Sequence, residues 1–492
     1  MLITIKFGGT SVGNADRIRA AAELVSSAKA QGHQVVVVTS AMSGVTNRLV
    51  ALAERAAADG FDEGSQVMES FRFTRELEIQ HLNEARKAIR NAQLVENVAQ
   101  SLYAERHGLE RVLFGSNLLG ELSPIGFDYV VSAGERMCVP ILANSLRDIG
   151  IEAVGVGGDD AGILTDNNYG SAVPNMERTR QEVRHSLLPL VSGGKIPVVA
   201  GFYGRSEAGR IAILGRGGSD YSATLIGCAL DADEIWIMTD VDGIKTTDPR
   251  LVPAARTLPQ VSYVIAAEMA HLGAKVLHPK SVMPAARQRI PLRIASSFEP
   301  EKAGTRLVPS VPATGASVAA LTLVRKSALV RATSADGDSD VVVKSGVLEE
   351  IRNHNIDVLA SATGFNGSNL LWLVGSLELE RFSQILQAHE NGQFQTDIQR
   401  NVAVLGVVGD HVATAARVLA RVAGCLEEAD ATPLAVLQGA TPNSIVIALP
   451  DNEQQLSAAL VRLHTELGLD MHSFENAISR SDIANRSSLA GA

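Results

Sequence analysis

The chain has 492 residues, 46% hydrophobic and 20% charged, with a formal net charge of −10 at pH 7. That length holds about two to four domains with large cores, and the acidic balance argues against nucleic acid or an anionic membrane as the main partner. Cys138, Cys228 and Cys425 lie too far apart for a disulfide framework or a zinc ligand set, no apolar run reaches the length of a membrane span, and the opening lacks a basic segment followed by a long apolar one, so a cytoplasmic location is expected.

Leu2 to Phe7 reads as a buried strand, with Lys6 near its end and Gly8, Gly9, Thr10 and Ser11 directly after it. Ala15 to Ala30 reads as a helix that turns Ile18, Ala21, Ala22 and Val25 to one face. Gln34 to Thr39, valine at each of 35–38, is a second buried strand, followed by the sharp turn Ser40-Ala41-Met42-Ser43-Gly44. Strand, helix and strand at this spacing form a parallel α/β unit. From about 65 to 121 the chain is helical and charged, a helical insertion with a structural role. Strand-like runs recur at Ala153–Val156, Ile196–Ala200, Arg210–Leu214, Glu234–Met238 and Pro291–Ile294. The expected fold is α/β, an open and mostly parallel sheet with helices on both faces, and its ligand belongs beyond the C-terminal strand edges.

Residues 309–316, rich in proline and small side chains, read as a linker. Beyond it the rhythm becomes strand, helix, strand, strand, helix, and it occurs twice, which predicts two α+β ferredoxin-like units at 317–395 and 400–475. In the second, strands are expected at Asn401–Val408, Leu434–Leu437 and Ser444–Leu449, and helices at Thr414–Ala429 and Glu453–Leu467. Residues 480–492 read as a flexible tail.

The chemistry-bearing motifs are glycine-rich turns that follow apolar runs and open helix-like stretches. Lys6-Phe7-Gly8-Gly9-Thr10-Ser11 is one; Gly215-Arg216-Gly217-Gly218-Ser219-Asp220 is another. Glycine lets the backbone approach an anion, and a helix N-terminus offers it N–H groups and partial positive charge. Neither a Walker A sequence nor Gly-x-Gly-x-x-Gly occurs, which removes the usual P-loop and dinucleotide readings. Three further motifs are Ala133-Gly134-Glu135-Arg136, the run from Thr239-Asp240 through Lys245 to Arg250, and Gly273-Ala274-Lys275 with His278. Each alone has a structural explanation: a tight turn, Asx-turn chemistry, a surface Glu135–Arg136 pair worth little, or a structural His278.

Together and in this order, these motifs resemble the aspartate kinases of the amino-acid kinase superfamily over residues 1–308, with the Lys6–Ser11 and Gly215–Ala223 blocks the most specific. The resemblance implies transfer of the ATP γ-phosphoryl group to the β-carboxylate of L-aspartate. A carboxylate with a pKa of about 4 needs no general base at neutral pH, so catalysis reduces to alignment of two anions and neutralisation of charge. By the resemblance, Lys6 meets the transferred phosphoryl group, Asp220 positions Lys6, and Arg216 forks onto a substrate carboxylate. Gly8, Gly9, Thr10 and Ser11 line the phosphate cradle. Ser40, Thr46 and Ser219 contact aspartate, and Glu135 pairs with its ammonium. Thr239, Asp240, Lys245, Arg250 and Lys275 surround ATP, with Mg²⁺ bridging phosphate oxygens and no dedicated protein metal site. Lys245 stands where many family members have tyrosine.

The C-terminal units are similar to the tandem ACT domains of the same family. That resemblance implies lysine or threonine as effector and a homodimer or higher homo-oligomer, with no nucleic-acid or membrane partner. The Asp336–Asp340 acidic loop departs from the ACT pattern. An amino-acid sensor with a silent kinase fold, and a sister kinase for another carboxylate, stay open as alternatives.

Overall fold

The computed structural model describes residues 1–57, 65–274, 277–311, 317–334, 346–354, 356–364, 369–389, 394–439 and 441–470. The linker's 312–316, the acidic loop 336–340, Lys275 and the tail 480–492 lie outside the described residues. The chain forms two compact units. One comprises Met1–Ile244, Pro259–Ala267 and Lys275–Val311; the other comprises Lys245–Leu258, Glu268–Ala274 and Pro312–Ala492. Two short pieces of the expected 1–308 domain therefore belong with the C-terminal unit.

The first unit is built on an eight-stranded sheet. Across it the strands run Ala153–Val156, Ile196–Ala200, Gln34–Thr39, Leu2–Phe7, Glu234–Thr239, Leu292–Ser296, Thr305–Val308 and Gln260–Ser262. Every neighbouring pair is parallel except Leu292–Ser296 with Thr305–Val308. Ile3, Ile5, Phe7 and the four valines 35–38 are all buried, as strands covered on both faces must be. Leu2–Phe7 sits in the middle, and Lys6 is in register with Val38 on one side and Ile237 on the other. The chain reverses just beyond these positions on all three strands, so their turns gather at one edge.

Helix Ala15–Ala30 is capped by Asn14, whose side chain accepts from Arg17 N, and it buries Ile18, Ala21, Ala22 and Val25 as the spacing predicts. The expected insertion is two long helices, Ser65–Ala88 and Ala92–Leu119. Their buried Leu77, Val98, Leu102 and Leu109 join the same apolar cluster as Ile3, Ile5 and Met137; each such side chain stabilises by roughly 1.5–3 kcal/mol. One strand is displaced from its expected place. Ile211–Ile213 lies outside the main sheet, in a three-stranded sheet with Leu164–Thr165 and Tyr203–Ser206. It pairs antiparallel with Tyr203–Ser206 through a tight turn at Gly209, whose φ is 70°. A hairpin this short pairs with itself before it can reach the large sheet.

The second unit carries a six-stranded antiparallel sheet in the order Val358–Thr363, Asn369–Val374, Ser317–Ser334, Phe394–Asp410, Ser444–Pro450, Ala435–Gln438. The two central strands are 18 and 17 residues long, and their mutual register shifts between Val324 and Leu329. Lys326 and Asn401 take left-handed backbone there, each with φ of 57°. Each long strand serves two cores. Ala328, Val330 and Ala332 pack with Val347, Trp372 and Phe382, whereas Leu321 packs with Leu405, Val422 and Leu460. The stretches expected at 317–395 and 400–475 thus share their strands: one core lies within 328–386, whereas the other joins Leu321 to residues 403–469 across it. Helices Ala416–Glu428 and Glu453–Glu466 match expectation to within a residue or two.

Candidate active site

Lys6, the last residue but one of its strand, is 8% exposed, with Nζ 2.5 Å from Asp220 Oδ1. Asp220 lies in the first turn of helix Gly218–Ala229. A carboxylate favours that position, since the helix dipole is positive there. The ammonium also stands over the first glycine turn: a Cβ on Gly8 would lie 3.5 Å from Lys6 Nζ. Gly8 N donates to Met238 O at 3.1 Å, and Ser11 N donates back to Gly8 O at 2.9 Å, closing a 3₁₀ turn over Thr10–Val12. A Cβ on Gly9 would come within 3.0 Å of Ala41 O, so this turn is packed against the turn that follows Gln34–Thr39.

The second glycine block folds as a turn into a helix, as the sequence predicts. Gly215 and Gly217 have φ of 77° and 71°, a conformation that suits glycine. A Cβ on Gly217 would also sit 2.6 Å from His278 Cβ. His278 has the structural role expected of it, because its Nδ1 accepts from Lys280 N at 3.2 Å and caps the next helix. Arg216 is exposed on this turn, and Ser219 is packed beneath Gly201, where a Cβ would lie 2.9 Å from Ser219 Cβ.

Glu135 completes the cluster. It lies in the first turn of helix Ala133–Asp148, 2% exposed, and accepts from the Ala41 backbone N–H. Its Oε2 is buried with no hydrogen-bond partner. Burial pushes its carboxyl up to about 8, against the pull of that N–H and the charges of Arg136 and Lys6. The surface pairing of Glu135 with Arg136 does not form. Arg136 is instead held by Glu105 from the helical insertion, with Nε to Oε1 at 2.7 Å, and by Ser132 Oγ and Tyr129 O. Thr46 is half-buried one residue into helix Val45–Ala57, and Ser40 N donates to Phe7 O at 3.1 Å.

The residues expected around the nucleotide are divided between the units. Thr239 and Asp240, at the end of Glu234–Thr239, lie in the first unit, and Thr239 Oγ1 donates to Asp240 Oδ1 at 3.2 Å. Lys245 and Arg250 belong to the second. There Lys245 Nζ donates to Thr257 Oγ1 at 3.1 Å, and exposed Arg250 pairs with Asp248 at 2.6 Å.

Besides the Glu105 anchor of Arg136, two residues were missed by sequence reasoning. Ser297 Oγ donates to Ser11 Oγ at 2.7 Å and contacts Thr239 O at 3.1 Å, tying the first glycine turn to the end of Glu234–Thr239. The serines after Leu292–Ser296 were the available signal. Asp128 is fully buried and accepts from Gly170 N at 3.1 Å and Ile213 N at 2.9 Å, and burial pushes its carboxyl up to about 6. It anchors the strand that leads into Gly215; nothing near it in sequence marks that role.

One edge therefore brings together a buried ammonium, two glycine turns, a helix N-terminus and a buried carboxyl with one oxygen unpartnered. Such a site can hold an anion against Lys6 and accept a cationic group at Glu135.

Residues 1–296 match the amino acid kinase family. The chain is similar to the aspartate kinase of Pseudomonas putida, 30% identical over 95% of this chain and 98% of that protein. It is also similar to the lysine-sensitive aspartokinase 3 of Escherichia coli, 31% identical over 95% of this chain and 99% of that one. A crystal structure of Escherichia coli aspartokinase III with aspartate and ADP superposes with a TM-score of 0.80 at 28% identity, covering 95% of this chain and all of the other.

Proposed function

This chain belongs to the amino acid kinase family, and from that membership we propose that it is an aspartate kinase, transferring the γ-phosphoryl group of ATP to the β-carboxylate of L-aspartate to give 4-phospho-L-aspartate. The reading rests above all on the buried Lys6–Asp220 pair where the two glycine turns meet. Lys6 neutralises charge on the moving phosphoryl group, and Asp220 keeps its ammonium aimed at the cradle of Gly8, Gly9, Thr10 and Ser11. Glu135 takes the aspartate ammonium and becomes ionised as it does so. Arg216 grips a substrate carboxylate with its planar fork. Ser40, Thr46 and Ser219 complete the aspartate contacts.

Thr239, Asp240, Lys245, Arg250 and Lys275 attend the nucleotide. Mg²⁺ bound with ATP would be held chiefly by phosphate oxygens and water, the habit of this ion. Asp240 is the exposed carboxylate beside which such an ion would sit. The C-terminal sheet is read as two ACT units, one nested in the other through the shared strands Ser317–Ser334 and Phe394–Asp410. The relative named for lysine sensitivity makes lysine the first effector to test, with threonine second, in a cytoplasmic homodimer or higher homo-oligomer.

A hydroxamate-coupled assay with ATP and either aspartate or glutamate tests the activity, run with and without lysine and threonine. Aspartate-dependent product is expected; its absence would sink the reading. A flat response to both amino acids would leave the ACT units a purely structural role.

A further inference from the structure

Wholly inside the second unit, a cavity of about 240 Å³ opens among the segment 245–258, the start of strand Ser317–Ser334 and helix Ala416–Glu428. Its polar lining is cationic. Arg256, Arg417 and Arg421 border it beside Thr246 and Ser317, and none of the described lining residues is acidic. Arg417 and Arg421 stand one turn apart on the same helix, a spacing at which like charges repel.

Two of the three cations are also held in place. Arg421 Nη1 donates to Glu466 O at 3.2 Å, and Arg256 Nε donates to Leu469 O at 3.0 Å. Thr246 Oγ1 accepts from Arg256 N at 3.0 Å and bonds His464 Nε2 at 2.9 Å. Guanidinium groups fixed by backbone carbonyls lose little freedom on binding, and their forks match carboxylate and phosphate oxygens.

We propose that this cavity is a regulatory site for a small, multiply charged anion, a dicarboxylate or a phosphorylated metabolite. A cationic amino acid such as lysine is excluded by the same three arginines. The regulatory part rests on the kinase reading. Thr246 and Arg256 belong to the segment that carries Lys245 and Arg250, so a ligand that grips this segment alters how those residues meet the nucleotide, and the KM for ATP reports it.

The test uses the full chain, with succinate and inorganic phosphate as probes, read by thermal melting and titration calorimetry. The proteins are wild type, the R417Q/R421Q double variant and Lys6→Ala. Arg417 and Arg421 are exposed, so the double variant keeps its fold, which its unliganded melting curve verifies. At least one probe is expected to bind wild type and Lys6→Ala saturably and to bind R417Q/R421Q at least about tenfold more weakly. Which probe binds separates the carboxylate source from the phosphate source. No binding by either probe, equal binding by the double variant, or loss in Lys6→Ala would overturn the site; the last would move the anion to the strand-end cradle. In kinetics, a saturating probe should shift the KM for ATP at least about threefold in wild type and not in R417Q/R421Q. An unmoved KM overturns the coupling. A protein without kinase activity would still give the binding result, so failure of the kinase reading and failure of the site are told apart.

Discussion

In the first unit, strands Leu2–Phe7, Gln34–Thr39 and Glu234–Thr239 lie parallel and in register, so each delivers its following turn to the same edge. In the second, all strand pairs among the described residues are antiparallel, so successive turns alternate between opposite edges. The parallel unit therefore concentrates Lys6, the glycine turns and the Asp220 helix start in one place. The antiparallel unit spreads its turns and keeps its polar chemistry in a hollow against a helix. Connection topology decides where each unit can host a ligand.

The comparison is broken most directly at Lys6. If the strand edge performs phosphoryl transfer, Lys6→Ala should lower kcat by about a thousandfold or more, with a modest effect on the KM for aspartate. Steady-state kinetics checks this, and an unchanged kcat would remove Lys6 from the mechanism.

A core change in the other unit should act on stability instead. Trp372 is 2% exposed, edge-on to Phe382 with ring centroids 5.5 Å apart. Trp372→Ala should destabilise its core by about 3–5 kcal/mol, lowering the melting temperature while kcat at saturating substrate stays within about twofold. Calorimetric melting beside kinetics measures both. A fall in kcat as large as that of Lys6→Ala would mean that the two units do not divide their tasks this way.

At the substrate end, Arg216→Ala should weaken aspartate binding by roughly 1.5–3 kcal/mol, the worth of a charge-assisted hydrogen bond. An unaltered KM for aspartate would contradict its assigned carboxylate contact.

The same contrast explains how much could be read in advance. The parallel strands announce themselves as apolar runs because both faces are buried, as the valines at 35–38 are. Tight glycine turns between a buried strand and a helix constrain sequence so closely that Lys6–Ser11 and Gly215–Asp220 stand out. The long strands Ser317–Ser334 and Phe394–Asp410 carry no such mark. Residues on either side of Lys326 read as ordinary apolar strand, and only the register shift there reveals that one strand serves two cores. Asp128, Ser297 and the Glu105 anchor of Arg136 escaped for a related reason. Each meets its partner at a sequence separation from 31 to 286 residues, and local pattern holds no record of such pairings.

Glu135 gives the smallest effect and the sharpest diagnosis. Its ordinary value is 4.5, and burial pushes it up to about 8. In the unliganded protein the carboxyl thus keeps its proton through neutral pH, whereas an unfolded chain would have lost it, so this group lowers stability as pH rises from 4.5 to 8. An aspartate ammonium beside Oε2 requires the ionised form. Binding must then release a proton, and affinity for aspartate should tighten as pH rises toward 8 and level off above it. Glu135→Gln keeps the shape, removes the titration and should raise the KM for aspartate about tenfold, with a pH profile that is flat across that window. Calorimetry in buffers of different ionisation enthalpy counts the released proton directly. Proton release that persists in Glu135→Gln would assign the titration to another group, and an unchanged KM would leave the buried carboxyl without a substrate to explain it.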